Sequence, residues 1–108
     1  MNTTEQIDFG LSLEVVELLV SLFATRSKIR KVMVFGSRAK GNYRPGSDID
    51  LALMADDFSH DDMIDLMLAI DDLDLLYKVD CVDYHKIDNA ALKAHIDRVG
   101  LPIYTSAK

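Results

Sequence analysis

Two aspartates one residue apart, Asp48 and Asp50, stand in the run "DIDLALM", where they alternate with Ile49, Leu51 and Leu53. Along a strand the side chains at i and i+2 leave the same face with Cα atoms roughly 6.5–7 Å apart, so two such carboxylates can converge on hard cations and bracket a pair of them. Upstream, the pair Gly36–Ser37 closes the apolar run "KVMVF" and opens a basic, glycine-rich segment. Gly36 lets the backbone approach a ligand closely and Ser37 offers a hydroxyl, while Arg38, Lys40 and Arg44 follow within a few residues; backbone N–H groups in such a turn bind anions without needing a charged side chain. The chemistry suggested is a phosphate cradle facing a metal-binding carboxylate pair. The loop is neither a Walker A sequence nor a GxGxxG turn. The plainer alternative is an ordinary turn followed by an edge strand whose acids face water.

A third carboxylate should come from elsewhere in the sheet. In "KVDCVDY", Asp80 and Val82 share one face, and Val79, Cys81 and Asp83 share the other. With Val79 and Cys81 facing the core, Asp80 is the candidate and Asp83 the reserve. His60, His85 and His95 are not spaced as a zinc site and no second cysteine joins Cys81, so the histidines read as surface or cap residues. Tyr43, in the loop, could stack on a base; Tyr77, Tyr84 and Tyr104 read as packing at strand ends.

The elements that must position these residues follow from periodicity. Val15, Leu18, Leu19 and Leu22 predict a helix over 11–24, and "KVMVF" (31–35) a buried strand. Gly41 to Gly46 is loop, and "DIDLALM" (48–54) a second strand. Ser59 and Asp62 predict a helix start, with Met63, Leu66, Met67, Ile70 and Leu73 continuing to about Leu76. A third strand spans 77–84; Asp88 or Asn89 caps a last helix reaching Val99, and Ile103–Tyr104 can add a short edge strand. The expected fold is a mixed α+β domain, a small β-sheet flanked by helices, occupying residues 1–108 as one unit.

With 108 residues, 49% hydrophobic and 28% charged, the chain has ordinary globular composition, which argues against intrinsic disorder. The absence of a long apolar run or a basic, apolar leader, together with a single cysteine, makes the cytoplasm the expected compartment. The net charge of -6 is unevenly distributed: seven of the twelve Lys and Arg residues and no acid lie between Arg26 and Arg44, whereas eight acids and no base lie from Asp56 to Asp74. The first segment could receive a polyphosphate; the second reads as a solvated face or one open to a basic partner. So acidic a chain lacks the broad electrostatic track of a nucleic-acid polymerase.

Taken as a composite, "GSRAKGNYRPGSDID" resembles the signature of the DNA polymerase β-like nucleotidyltransferase superfamily: a GS pair, ten residues, then DxD, with Asp80 as the downstream acid. The short length resembles the minimal nucleotidyltransferases, the MNT or MntA-like antitoxins commonly encoded beside a HEPN-domain protein as a type VII-like toxin–antitoxin pair. The resemblance implies a polymerase β-like fold, with Gly36, Ser37 and the basic loop holding ATP while Asp48, Asp50 and Asp80 bind Mg²⁺, two ions in all. It further implies transfer of AMP to a tyrosine hydroxyl of a HEPN ribonuclease toxin. Two other readings are a non-catalytic antitoxin that masks its partner, and nucleotidyl transfer to a small molecule such as an aminoglycoside.

Overall fold

The computed structural model describes residues 9–107. The first eight residues, part of the stretch whose composition argued against a leader, lie outside that set. Four helices and four strands follow in the order α1 (Leu13–Ala24), β1 (Ile29–Phe35), α2 (Ser37–Lys40), β2 (Ile49–Ala55), α3 (His60–Asp72), β3 (Val79–Asp83), α4 (Ala90–Val99) and β4 (Leu101–Thr105), with a 3₁₀ turn at Tyr84–Lys86. The mixed α+β architecture is the one expected. Among the described residues no helix is long and apolar enough to cross a membrane.

Each long helix starts at a side chain that satisfies an otherwise unpaired N–H group. Ser12 accepts from Val15 N at 3.2 Å and Asn89 from Leu92 N at 3.0 Å. Ser59 and Asp62 form a reciprocal capping box, with the Asp62 N–H donating to Ser59 Oγ and the Ser59 N–H to Asp62 Oδ2. The helix it starts ends at Asp72, four residues before the apolar periodicity does, because Asp74 turns the chain with a φ of 55°.

The strand order is β3-β2-β1-β4, with β2 antiparallel to β1 and parallel to β3, and β4 antiparallel to β1. The acid-bearing strand β2 is therefore interior, and the edge-strand alternative falls. One face of the sheet, carrying Val32, Val34, Ile49, Leu51, Leu53 and Val79, packs against Leu19 and Phe23 of α1 and Leu66 and Ile70 of α3. Fully burying one such side chain is worth about 1.5–3 kcal/mol. The other face carries Phe35, Asp50 and Ala52, and α4 lies on it. Ala52 and Ile96 are buried there, and the ring of His95 meets Phe35 edge-on at 6.1 Å. Leu18, assigned to the core stripe of α1 by its spacing, is 38% exposed; Phe23 takes its place.

Candidate active site

β1 and β2 run together from a far end, where Ile29 meets Ala55, to a near end, where Phe35 meets Asp50. Asp80 lies directly beside Asp50 in the parallel register of β2 and β3. The two acids thus occupy one row on one face, as the strand alternation required. Asp48 lies just before β2, in exposed chain. Asp83 is used differently, accepting a hydrogen bond from His85 N at 3.1 Å and capping the 3₁₀ turn.

The mutual proximity of these acids has an electrostatic signature. The Asp50 carboxyl is pushed above the usual carboxylate range, first by burial, then by the negative charges of Asp80 and Asp48, with His95 offsetting part of the rise. Among the described residues no group of three His, Cys, Asp or Glu side chains closes on one point as a ready metal cage. The donor chemistry nevertheless fits Mg²⁺, a hard cation that takes carboxylate oxygens and completes its octahedron with substrate phosphates and water rather than with an all-protein cage.

Gly36 has a function beyond admitting a phosphate. Its φ is 76° with ψ -152°, and a Cβ placed on it would stand 2.6 Å from Asp50 Oδ2. Only glycine leaves room for the carboxylate, so the GS pair and the DxD pair are linked by direct packing. Immediately after Gly36 the chain turns into α2, a short helix within what its glycines predict to be loop throughout, and Gly41 ends it with a φ of 86°. The N–H groups of Ser37, Arg38 and Ala39 have no acceptor within that helix. The Ser37 hydroxyl makes no hydrogen bond among the described residues, and Lys40 and Arg44 are exposed and form no salt bridge among them.

Arg38 is placed differently from the other two cations. It is only 3% exposed; Nη1 donates to the Phe9 carbonyl at 2.8 Å, and Nη2 and Nε donate to the Ser47 carbonyl at 2.8 and 3.2 Å. Its guanidinium also lies between two rings, 5.1 Å from the centroid of Tyr43 and 5.0 Å from that of Tyr77. Arg38 therefore holds the loop just before Asp48 against the segment that leads into β3. Tyr43, which from its place in the loop could have stacked on a base, packs on this cluster, its ring so close to Gly10 that a Cβ there would lie 2.2 Å away.

The basic segment is divided in the same way. Arg26, Lys28 and Arg30 pair with Asp65, Asp62 and Asp56, the first two at 2.6 and 2.9 Å, and all at the far end of the sheet. They are thus spent on acids of α3 and its approach rather than presented to a polyphosphate. His95, set aside by its spacing, stands near Asp50; no periodicity could have shown this, because α4 reaches that face only by crossing the sheet.

The family model described as polymerase beta, nucleotidyltransferase, matches residues 17–108. The chain belongs to this nucleotidyltransferase family. Among solved structures, one described as a minimal nucleotidyltransferase is 30% identical, with a TM-score of 0.65 over 86% of this chain and 97% of that one. A toxin–antitoxin crystallised with AMP-PNP is 23% identical, with a TM-score of 0.68 over 85% of this chain and 74% of that one. A complex of a tri-AMPylated Shewanella oneidensis HEPN toxin with its MNT antitoxin is 22% identical, with a TM-score of 0.56 over 86% of this chain and 68% of that one. No curated protein matches the chain.

Proposed function

We propose that this nucleotidyltransferase moves AMP from ATP to a tyrosine hydroxyl of a HEPN-domain toxin, and so acts as the antitoxin of the pair. The observation that carries the reading is the row formed by Asp50 and Asp80 beside a glycine on which a Cβ would displace the Asp50 carboxylate. The relatives crystallised with AMP-PNP and with an AMPylated HEPN toxin support the choice of nucleotide and of partner.

In this reading Asp48, Asp50 and Asp80 hold Mg²⁺. Bound Mg²⁺ supplies charge neutralisation on the triphosphate and a lower pKa for the attacking hydroxyl. The backbone at Gly36 and Ser37 holds the phosphates, with Lys40 and Arg44 adding positive charge from the exposed side. Arg38 acts as a positioning residue that fixes the loop between α2 and Asp48. The acceptor oxygen forms a bond to the α-phosphorus as the bond to the β-phosphate bridge breaks and pyrophosphate leaves. In this reading Asp80, exposed on β3, also takes up the hydroxyl proton on a carboxylate oxygen. Alignment of the reactants contributes much of the rate, and in this reading the partner protein presents the acceptor.

The test is incubation with Mg²⁺, ATP labelled at the α-phosphate and a HEPN toxin. Label should enter the toxin with the wild-type protein and not with Asp48→Asn, Asp50→Asn or Asp80→Asn. A toxin that stays unlabelled yet bound and inhibited would establish a masking antitoxin instead.

A further inference from the structure

The three acids of the site are not held equally. Asp50 and Asp80 stand in the β2–β3 ladder, whose hydrogen bonds fix their backbones side by side. Asp48 stands just before β2, in exposed chain. The residue after it is anchored, because the Ile49 N–H donates to the Lys78 carbonyl at 2.8 Å. The chain before it, Lys40 to Gly46, is exposed throughout, and a Cβ on Gly41 or Gly46 would meet nothing within 4 Å. One turn orders this chain locally: the Ser47 N–H donates to the Arg44 carbonyl at 2.9 Å, and the Arg44 N–H to Ser47 Oγ at 2.9 Å. Pro45 and Gly46 form its corners, and a φ of 89° at Gly46 fits a type II turn. That turn closes on itself and fixes nothing relative to the sheet.

The tie to the rest of the molecule is Arg38, whose Nη2 and Nε both donate to the carbonyl of Ser47, the residue next to Asp48. A guanidinium so deeply buried costs free energy unless its charge is compensated. Among the described residues it forms no salt bridge. Its compensation comes from the Phe9 and Ser47 carbonyls and from the rings of Tyr43 and Tyr77. Phe9 belongs to the hydrophobic core and Tyr77 packs against it, so both are fixed independently of the loop. Tyr43 is the member that the loop itself contributes. It is 36% exposed, and its ring is seated on Gly10, where a φ of 73° and the lack of a side chain make room for it.

We propose that Tyr43 is a positioning residue for metal binding: seated on Gly10, it covers Arg38, and Arg38 in turn fixes the Ser47 carbonyl and with it Asp48. The metal-binding role of Asp48 rests on the reading above; the clamp itself does not. Tyr43 then touches neither base nor phosphate, and Gly10, far from the acids in sequence, supports the site. Tyr43→Leu removes the ring from the guanidinium, Tyr43→Phe keeps it, and Gly10→Ala drives a methyl group against it.

The test is calorimetric titration of ATP and, separately, of inorganic tripolyphosphate at a series of Mg²⁺ concentrations into wild type and these three variants. Tyr43→Leu and Gly10→Ala should need about tenfold more Mg²⁺ for half-saturation, the scale of losing a desolvated cation–π contact. The rise should be equal for both ligands, because the clamp acts on the metal and not on the base. Tyr43→Phe should restore the wild-type requirement. Since Tyr43 lies partly in solvent, Tyr43→Leu should keep a cooperative melt; a lower melting temperature with an unchanged Mg²⁺ requirement overturns the proposal. So does a Tyr43→Leu protein that binds ATP more weakly but tripolyphosphate as wild type does, the pattern of a ring stacked on the base. If the wild-type protein binds neither ligand with Mg²⁺, the nucleotide reading falls. The clamp is then judged by hydrogen exchange at the Ser47 amide: faster exchange in Tyr43→Leu and Gly10→Ala than in wild type and Tyr43→Phe upholds it, and equal rates in all four overturn it.

Discussion

The two ends of the β1–β2 pair treat negative charge in opposite ways. At the far end three acids each have a cation: Asp56 with Arg30, Asp62 with Lys28, Asp65 with Arg26. At the near end the charges of Asp80 and Asp48 both act on Asp50, with His95 as the partial offset. Folding alone does not call for the second arrangement, since removing those charges would relieve repulsion. Acids set together against their own electrostatics mark a candidate functional site, which the proposed reading fills with a cation and a polyphosphate.

The largest break in that contrast is chemical. Asp50→Asn should lower nucleotidyl transfer by about 10²–10³-fold, the scale of removing one preorganised charge-stabilising group, as read by α-labelled ATP incorporation. Gly36→Ala comes next. A methyl group 2.6 Å from Asp50 Oδ2, at a φ of 76°, must displace the carboxylate. The variant should lose transfer and also about 1–3 kcal/mol of stability, the cost of a backbone held in a strained region, seen as a lower denaturant midpoint.

Ser59→Ala sharpens the comparison from the compensated end. It should cost about 1 kcal/mol, as lost caps do, and leave the heat of nucleotide binding unchanged. Asp62, held down to about 2 by its hydrogen bonds to Ser59 and Lys28, contributes stability that is present above its ordinary 3.8 and is lost as the pH falls towards 2. Acid melts of wild type and Asp62→Asn should therefore converge in that window. The smallest effect concerns Cys81, whose thiol is pushed up to about 12 by burial and then by Asp80. It should resist a thiol reagent at pH 8 in the folded protein and react fully once unfolded.

Much of this was legible in the sequence because strand alternation is strict. Ile49, Leu51 and Leu53 predict β2, Val79 and Cys81 put Asp80 on the opposite face from themselves, and the register brings it to Asp50. The interior position of β2 was not legible, because its second face holds Asp50 and the small Ala52, and the burial there is supplied by Ile96 from a distant helix. Arg38 is indistinguishable in sequence from Lys40 and Arg44; two backbone carbonyls and two rings that set it apart come from three separate parts of the chain. The early end of α3 did leave a trace: Asp71, Asp72 and Asp74 crowd the negative end of a helix, where apolar spacing alone would carry it on to Leu76.

The central claim is that the carboxylates at the near end are kept close together for a metal-bound nucleotide and not for the fold, and one pair of melting curves tests it. Burial and like charge raise the Asp50 carboxyl, so the wild-type fold loses stability as the pH rises through that raised value. Without ligand, at a pH above that raised value, Asp50→Asn should melt above wild type; with Mg²⁺ and ATP in excess, wild type should melt above the variant. An Asp50→Asn protein that melts below wild type without ligand, or a wild type whose melting temperature Mg²⁺ and ATP leave unmoved, would contradict it.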